Sequence, residues 1–250
     1  MHLEGRTVLI TGAATGIGKA IALKFASHGA NIVINYSKSE AEAEDTLREV
    51  EQQGVKGLVC RADVSIDEQV RGMVEQAVQA FGRIDVLINN AGTTQFVALS
   101  DLDGMTEEIW DRVFDVNVKG VFFTSRACAP ELVRNRGCII NITSIAGFSG
   151  HGSSLAYAAS KAAAISITRS FARVLAPHVR VNSIAPGVVV TRWVDGHDDH
   201  IQNFAKATPF GRAATPEDVA DAAWGLVCGG QFITGQTLVV DGGWSLNSIV

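Results

Sequence analysis

Short apolar runs bounded by glycine or polar residues recur along the chain at 7–11 (TVLIT), 31–36 (NIVINY), 57–60 (GLVC), 85–90 (DVLINN), 138–143 (CIINIT), 179–185 (VRVNSIA) and 237–242 (TLVVDG). Their length and β-branched content predict seven strands. Between most of them apolar positions return three and four apart, as at Ile17, Ile21, Leu23 and Phe25, or Val70, Met73, Val74, Ala77 and Val78. That spacing predicts helices. Strand and helix in alternation imply parallel pairing through right-handed crossovers, and near-continuous apolar strands imply that both sheet faces are covered. The expected fold is therefore α/β and doubly wound, a seven-stranded parallel sheet with helices on both faces. With no internal repeat and no linker-like tract, residues 1–250 are expected to form one domain. The rhythm breaks after Gly187, where about thirty residues show no strand pattern; long insertions in compact domains are usually functional. A lid is expected at about 188–214.

Composition narrows the field. Hydrophobic residues make up 47% of the chain and charged ones 19%, enough apolar material for a layered core. The net charge is −5, from 21 basic and 26 acidic side chains, with no basic cluster to suit a phosphate backbone, so no nucleic-acid partner is expected. The opening MHLEGRTVLITG has no secretory pattern and no apolar run is long enough to span a bilayer, so no membrane association is expected. Cys60, Cys128, Cys138 and Cys228 form no C-x-x-C pair and sit in apolar surroundings. Reduced thiols and a cytoplasmic location follow as expectations.

The stretch TGAATGIG (11–18) places Gly12, Gly16 and Gly18 between the first predicted strand and the first predicted helix. Glycine at such a turn lets the backbone approach a pyrophosphate, whose charge the free amides of the helix start favour. A tight turn needing positive φ would use glycine as well. The spacing is G-x-x-x-G-x-G, and NNAG (89–92), Tyr157 with Lys161, and Pro186-Gly187 follow it in order. On these four motifs the chain resembles the short-chain dehydrogenase/reductase family over nearly its whole length, in particular its 3-oxoacyl-(acyl-carrier-protein) reductase type. The resemblance implies a Rossmann-like fold, a nicotinamide dinucleotide, and a homotetramer using the helix of Tyr157, the helix before it (118–134) and the carboxyl-terminal strand.

Tyr157 and Lys161 lie one helical turn apart, on one face. A free phenol has a pKa near 10, too high for proton transfer at neutral pH; a neighbouring ammonium stabilises the phenolate and is expected to bring the Tyr157 pKa down. The pair is thus a candidate proton donor and its tuner. As hydride reaches a ketone carbon, charge grows on oxygen and must be held and protonated. The resemblance implies that Ser144 holds this oxygen, that Asn117 supports a water relay to Lys161, and that Lys161 also bonds the nicotinamide ribose.

The second predicted strand ends without an acidic residue, in Tyr36, Ser37 and Lys38. A hydroxyl and an ammonium suit a phosphate dianion, so NADP(H) is the expected cofactor, with NAD(H) possible. Lys38 would otherwise only solvate the next helix. Thr15 offers a hydroxyl where many NADP(H)-using relatives carry a basic residue. Around the glycine turn, Thr15 and Ile17 are expected to meet the dinucleotide. The resemblance further places Asp63 and Val64 at the adenine, Asn90, Ala91 and Gly92 against the adenosine side, and Val189 and Thr191, after Pro186 and Gly187, at the carboxamide. A helix N-cap is an equal reading of Asp63.

For the substrate, Ser144, His151, Tyr157 and Trp193 are candidates, with Phe204 and Phe210 able to complete an apolar wall; His151 reads more readily as an exposed loop residue. The HDDH run at 197–200 has ligand-type residues without a third spaced ligand, and no metal is expected. The expected substrate is a small ketone or secondary alcohol. The alternatives are an NAD-dependent alcohol dehydrogenase of the same family and a non-catalytic nucleotide-binding regulator. Retention of Ser144, Tyr157 and Lys161 together favours an enzyme.

Overall fold

The computed structural model describes residues 1–194, 196 and 198–246, those at 198 and 200 by their backbone alone. Seven strands are present: Thr7–Ile10 (β1), Asn31–Tyr36 (β2), Gly57–Arg61 (β3), Val86–Asn89 (β4), Cys138–Ile142 (β5), Arg180–Pro186 (β6) and Thr237–Val240 (β7). They pair in parallel in the order β3-β2-β1-β4-β5-β6-β7. The helices are Gly16–Ala26 (α1), Glu40–Glu51 (α2), Asp67–Phe81 (α3), Glu107–Phe114 (α4), Gly120–Asn135 (α5), Ala146–Ser149 (α6), Leu155–Leu175 (α7), Asp198–Ala207 (α8) and Pro216–Cys228 (α9).

The pleat sends alternate side chains to opposite faces. Val8, Ile10, Ile32, Ile34 and Ile140 pack against α1, α2 and α9, whereas Leu9, Val33, Leu87 and Ile139 pack against α3, α5 and α7. All nine are fully buried, each burial contributing about 1.5–3 kcal/mol. The chain winds outward from β1 in both directions, so β1 and β4 are neighbours whose connections leave to opposite sides. Their carboxyl ends form the crevice where doubly wound sheets bind ligands.

Two local features aim the site. The Ser154 hydroxyl accepts from the Tyr157 amide at 3.2 Å, capping α7 so that Tyr157 falls in its first turn. A buried polar chain runs from β4 across β5 to α7: Asn89 donates to Asn141 (2.8 Å), and Asn141 donates to the Thr168 hydroxyl (2.9 Å). Beyond β6, the described residues of the segment expected to lack a strand form none, but hold a tight turn at Arg192–Val194 and α8. Its ends meet where Val189 bridges Ala214. Among the described residues, no helix is long and apolar enough to cross a membrane.

Candidate active site

The glycine turn is shaped by a frame of side chains from neighbouring strands. Gly12 and Gly16 have φ of +63° and +56°, which side chains with a Cβ rarely adopt. The Gly12 amide donates to Asn35 Oδ1 of β2 at 3.2 Å. From the end of β4, Asn90 Nδ2 donates to the carbonyls of Thr11 (2.9 Å) and Gly12 (3.0 Å), while the Asn90 and Ala91 amides both donate to the Thr11 hydroxyl at 3.0 Å. Thr11, at the head of the glycine motif, and Asn35, outside any motif, thus hold the turn. Gly18, expected to lie at the cofactor, is not among the residues lining the cavity above this turn. A Cβ there would collide with the Gly12 carbonyl and the Asn90 amide, so Gly18 is small to let α1 pack under the loop.

One cavity of about 860 Å³ runs from β2 across the crevice to the 188–214 segment. Gly12, Thr15, Gly16, Ile17, Tyr36, Ser37, Lys38, Asp63, Val64, Asn90, Ala91, Gly92, Pro186, Gly187, Val189 and Thr191 all line it, as do Ser144, His151, Tyr157, Lys161 and Trp193. Asn117 stands behind that wall. Asp63 is not a helix cap, because Ile66 holds the N-cap position of α3. Instead its carboxylate accepts from the Ser65 amide and hydroxyl (3.0 and 2.6 Å) and pairs with Arg112 at 3.2 Å. Burial alone would raise its pKa, but the Ser65 bonds and the Arg112 charge outweigh it and hold the carboxyl below its usual value. The Tyr36 phenol, raised by desolvation, is hydrogen-bonded to Glu40.

At the far end, Tyr157 and Lys161 face the same space. Lys161 Nζ is 5.5 Å from the Tyr157 ring centroid and donates to the Ile142 carbonyl at 3.0 Å. Burial pushes the phenol up to about 12, against a smaller lowering by its hydrogen bond with Ser144, and brings Lys161 down to about 8. The expectation that Lys161 lowers the phenol pKa is therefore not met by the polypeptide itself. The ammonium is directed at a carbonyl, and loss of water around the phenol dominates. Asn117 sits on a π-helical turn, Asp115–Lys119, inserted between α4 and α5. Its Oδ1 accepts from the Thr93 amide (2.8 Å), and its Nδ2 donates to the Thr93 carbonyl and the Ser160 hydroxyl (both 3.0 Å). A Cβ on Gly92 would lie 3.5 Å from Asn117 Oδ1, 3.6 Å from Lys161 Nζ and 3.8 Å from Trp193. These groups converge on one small residue.

The mouth is apolar. Trp193 leans toward Tyr157, ring centroids 6.0 Å apart, and Phe204 stacks on Trp244 at 5.5 Å. Phe96 and Trp244 also line the cavity; Phe210 does not, being largely exposed. Of the HDDH run, His197 lies outside the described residues, as do the side chains of Asp198 and His200.

Space and charge suit a dinucleotide. The cavity is large and elongated, glycines open one wall, and its described lining carries Lys38, Arg112, Lys161 and Arg192 against the single carboxylate Asp63. A cationic cleft in an acidic chain favours an anionic ligand. Arg112 and Arg192 escaped sequence reasoning because their partners are 49 and 153 residues away in the chain.

A parallel doubly wound sheet with a glycine turn at its switch point, and a half-buried tyrosine beside a buried lysine at the far end of one crevice, defines a nucleotide-binding enzyme fold. The comparisons name the class more closely. A family model described as enoyl-(acyl carrier protein) reductase matches residues 12–245. The 3-oxoacyl-(acyl-carrier-protein) reductase FabG of Thermotoga maritima is 39% identical, over 97% of this chain and 99% of its own; that of Staphylococcus aureus (strain Mu50) is 37% identical, over 95% and 97%. A short-chain dehydrogenase from Burkholderia cenocepacia J2315, solved in complex with NADP, superposes with a TM-score of 0.91 at 32% identity, over 98% of this chain and 100% of that one. The chain belongs to the short-chain dehydrogenase/reductase family and is an oxidoreductase of that family.

Proposed function

We propose that the protein is an NADP(H)-dependent reductase that transfers hydride between the nicotinamide and a ketone or secondary alcohol, with Tyr157 as the general acid and base. The observation that carries this reading is the half-buried Tyr157 phenol, hydrogen-bonded with Ser144 and sharing a cavity wall with the buried Lys161, at the end of a crevice that begins in a glycine turn. Bound nicotinamide supplies the hydride for reduction and accepts it for oxidation. The cofactor would be held by the turn from Gly12 to Ile17, by Asn90 to Gly92, by Pro186 to Thr191, and at its adenosine end by Tyr36 to Lys38, Asp63 and Val64. The NADP complex of the Burkholderia relative supports the choice of cofactor.

The chemistry of the chain follows from its protonation states. A phenol with a pKa of about 12 keeps its proton at neutral pH. It is therefore a donor to the oxygen on which charge develops, and the Ser144 hydroxyl is a second donor to that oxygen. Once Tyr157 has given up its proton, the phenolate must be reprotonated, and Lys161, with a pKa near 8 and its ammonium 5.5 Å from the Tyr157 ring centroid, is the cation on the same wall able to feed that proton back. Asn117 fixes the Thr93 and Ser160 side of this wall; the water relay that the family resemblance assigns to it would reach Lys161 there. His151 and Trp193 would meet the substrate, and the 188–214 segment would act as its lid.

Apolar residues exposed on α5 (Phe122), α7 (Val174) and the edge strand β7 (Leu238, Val239) support assembly as a homotetramer through those elements. An acyl-carrier thioester is a substrate class alongside small free ketones, since the relatives named above are 3-oxoacyl reductases. The family model is described as an enoyl reductase, so the bond reduced must be tested directly. NADPH oxidation should be followed with a panel of ketones, an acetoacetyl thioester and a crotonyl thioester. Turnover of carbonyl substrates supports the reading; turnover of the crotonyl thioester alone overturns it. A higher kcat/KM with NADH than with NADPH overturns the cofactor assignment.

A further inference from the structure

We propose that Arg192, on the turn that follows β6, is a specificity residue for the cofactor, its guanidinium pairing with the 2′-phosphate of NADP(H) beside Lys38. The proposal rests on the NADP(H) reading above and extends it from the end of β2 to the lid.

Arg192 Nη2 donates to the Ser39 hydroxyl at 3.0 Å, and Nη1 lies 3.5 Å from Glu42 Oε1. Both partners belong to the start of α2, where Ser39 is the N-cap residue. The segment reaches them by crossing the glycine turn, since a Cβ on Gly16 would stand 3.4 Å from the Thr191 methyl. Ser37, Lys38, Ser39 and Arg192 then line one end of the cavity together, whereas Glu42 does not line it. A guanidinium is thus brought to the residues that follow β2, where the 2′ position of an adenosine ribose falls in this fold.

The present contacts of Arg192 are weak ones. Its bond to Ser39 has a neutral acceptor, and the Glu42 pair is long and largely exposed. A phosphate dianion offers the same fork two charged acceptors, a stronger and more directional pairing. Thr15 provides no positive charge from the glycine turn, and Arg112 is paired with Asp63. Lys38 and Arg192 are therefore the two cations of the described lining placed for a 2′-phosphate. Because NADH has none, the interaction would discriminate between the two cofactors, and it would fasten the lid over the dinucleotide only when the phosphate is present.

The test is titration of the full chain with NADPH and with NADH, read by cofactor fluorescence, for wild type, Arg192→Ala and Glu42→Gln, with circular dichroism confirming that each variant is folded. Arg192→Ala should weaken NADPH binding about ten-fold or more while changing NADH affinity less than about two-fold. Glu42→Gln removes the competing carboxylate and should tighten NADPH alone. Equal losses for both cofactors in Arg192→Ala, or no loss for either, would overturn the assignment while leaving the NADP(H) reading intact. Wild-type protein that binds NADPH no better than NADH would overturn that reading, and this proposal with it.

Discussion

At the scale of single residues, the site is governed by what burial does to proton affinity. In the proposed reaction Ser144 would donate to an oxygen that becomes negative only during reaction, so Ser144→Ala should reduce kcat about 10²–10³-fold while leaving cofactor affinity unchanged. Loss of cofactor binding in parallel with rate would show that Ser144 shapes the cleft instead. Lys161 carries a cost. Its pKa falls from 10.5 to about 8 on folding because burial disfavours the ammonium, so between those values the unfolded chain keeps a proton that the folded chain has released. This group therefore makes stability rise with pH across that window, and its penalty is full below pH 8. Lys161→Met should raise the Tm at pH 7, with the gap to wild type narrowing toward pH 10. A gap that does not vary with pH would show that burial of Lys161 carries no such penalty. Activity should be lost in the same variant, since stability and function oppose each other at this position.

At the scale of elements, the sequence was most legible where pattern and burial coincide. Every predicted strand is present within two residues of its expected bounds, because most of these strands are buried and mainly apolar. Most of the motif residues reach one cavity because they sit at the carboxyl ends of parallel strands or in the first two turns of a helix that follows one. The π-helical turn beneath Asn117 left no trace, because one extra residue in a turn alters no residue type. The part of Asn35 in this frame was equally hidden, as it is an ordinary strand residue until its neighbours are known. Gly18 reads as part of a binding motif, yet it serves packing. Gly18→Ala should therefore destabilise the fold by about 1–3 kcal/mol through overpacking. Gly72→Ala, in the middle of α3 with nothing near the added methyl, should stabilise it by about 0.4–1 kcal/mol. Chemical denaturation of both variants separates the two effects; matching signs would contradict the packing role of Gly18.

For the whole molecule, an acidic chain folds around a cleft whose described lining is cationic, and apolar side chains are exposed on α5, α7 and β7. Sedimentation should give a mass near four times the 26.5 kDa chain; a monomer at micromolar concentration would contradict the tetramer. What the sequence could not convey at this scale was long-range pairing, such as Arg192 with α2, because such contacts depend on the winding order rather than on local pattern. Nor does the chain name its substrate, as the mouth is built from apolar side chains that accept many shapes. The most direct measurement is NADPH consumption with a ketone that the wild-type protein reduces, compared between wild type and Tyr157→Phe, with cofactor affinity measured on both. A fall in kcat of about 10²–10⁴ with NADPH binding retained is expected of a lost general acid. Turnover by Tyr157→Phe within a few-fold of wild type would contradict the proton-donor role on which the proposed reaction depends.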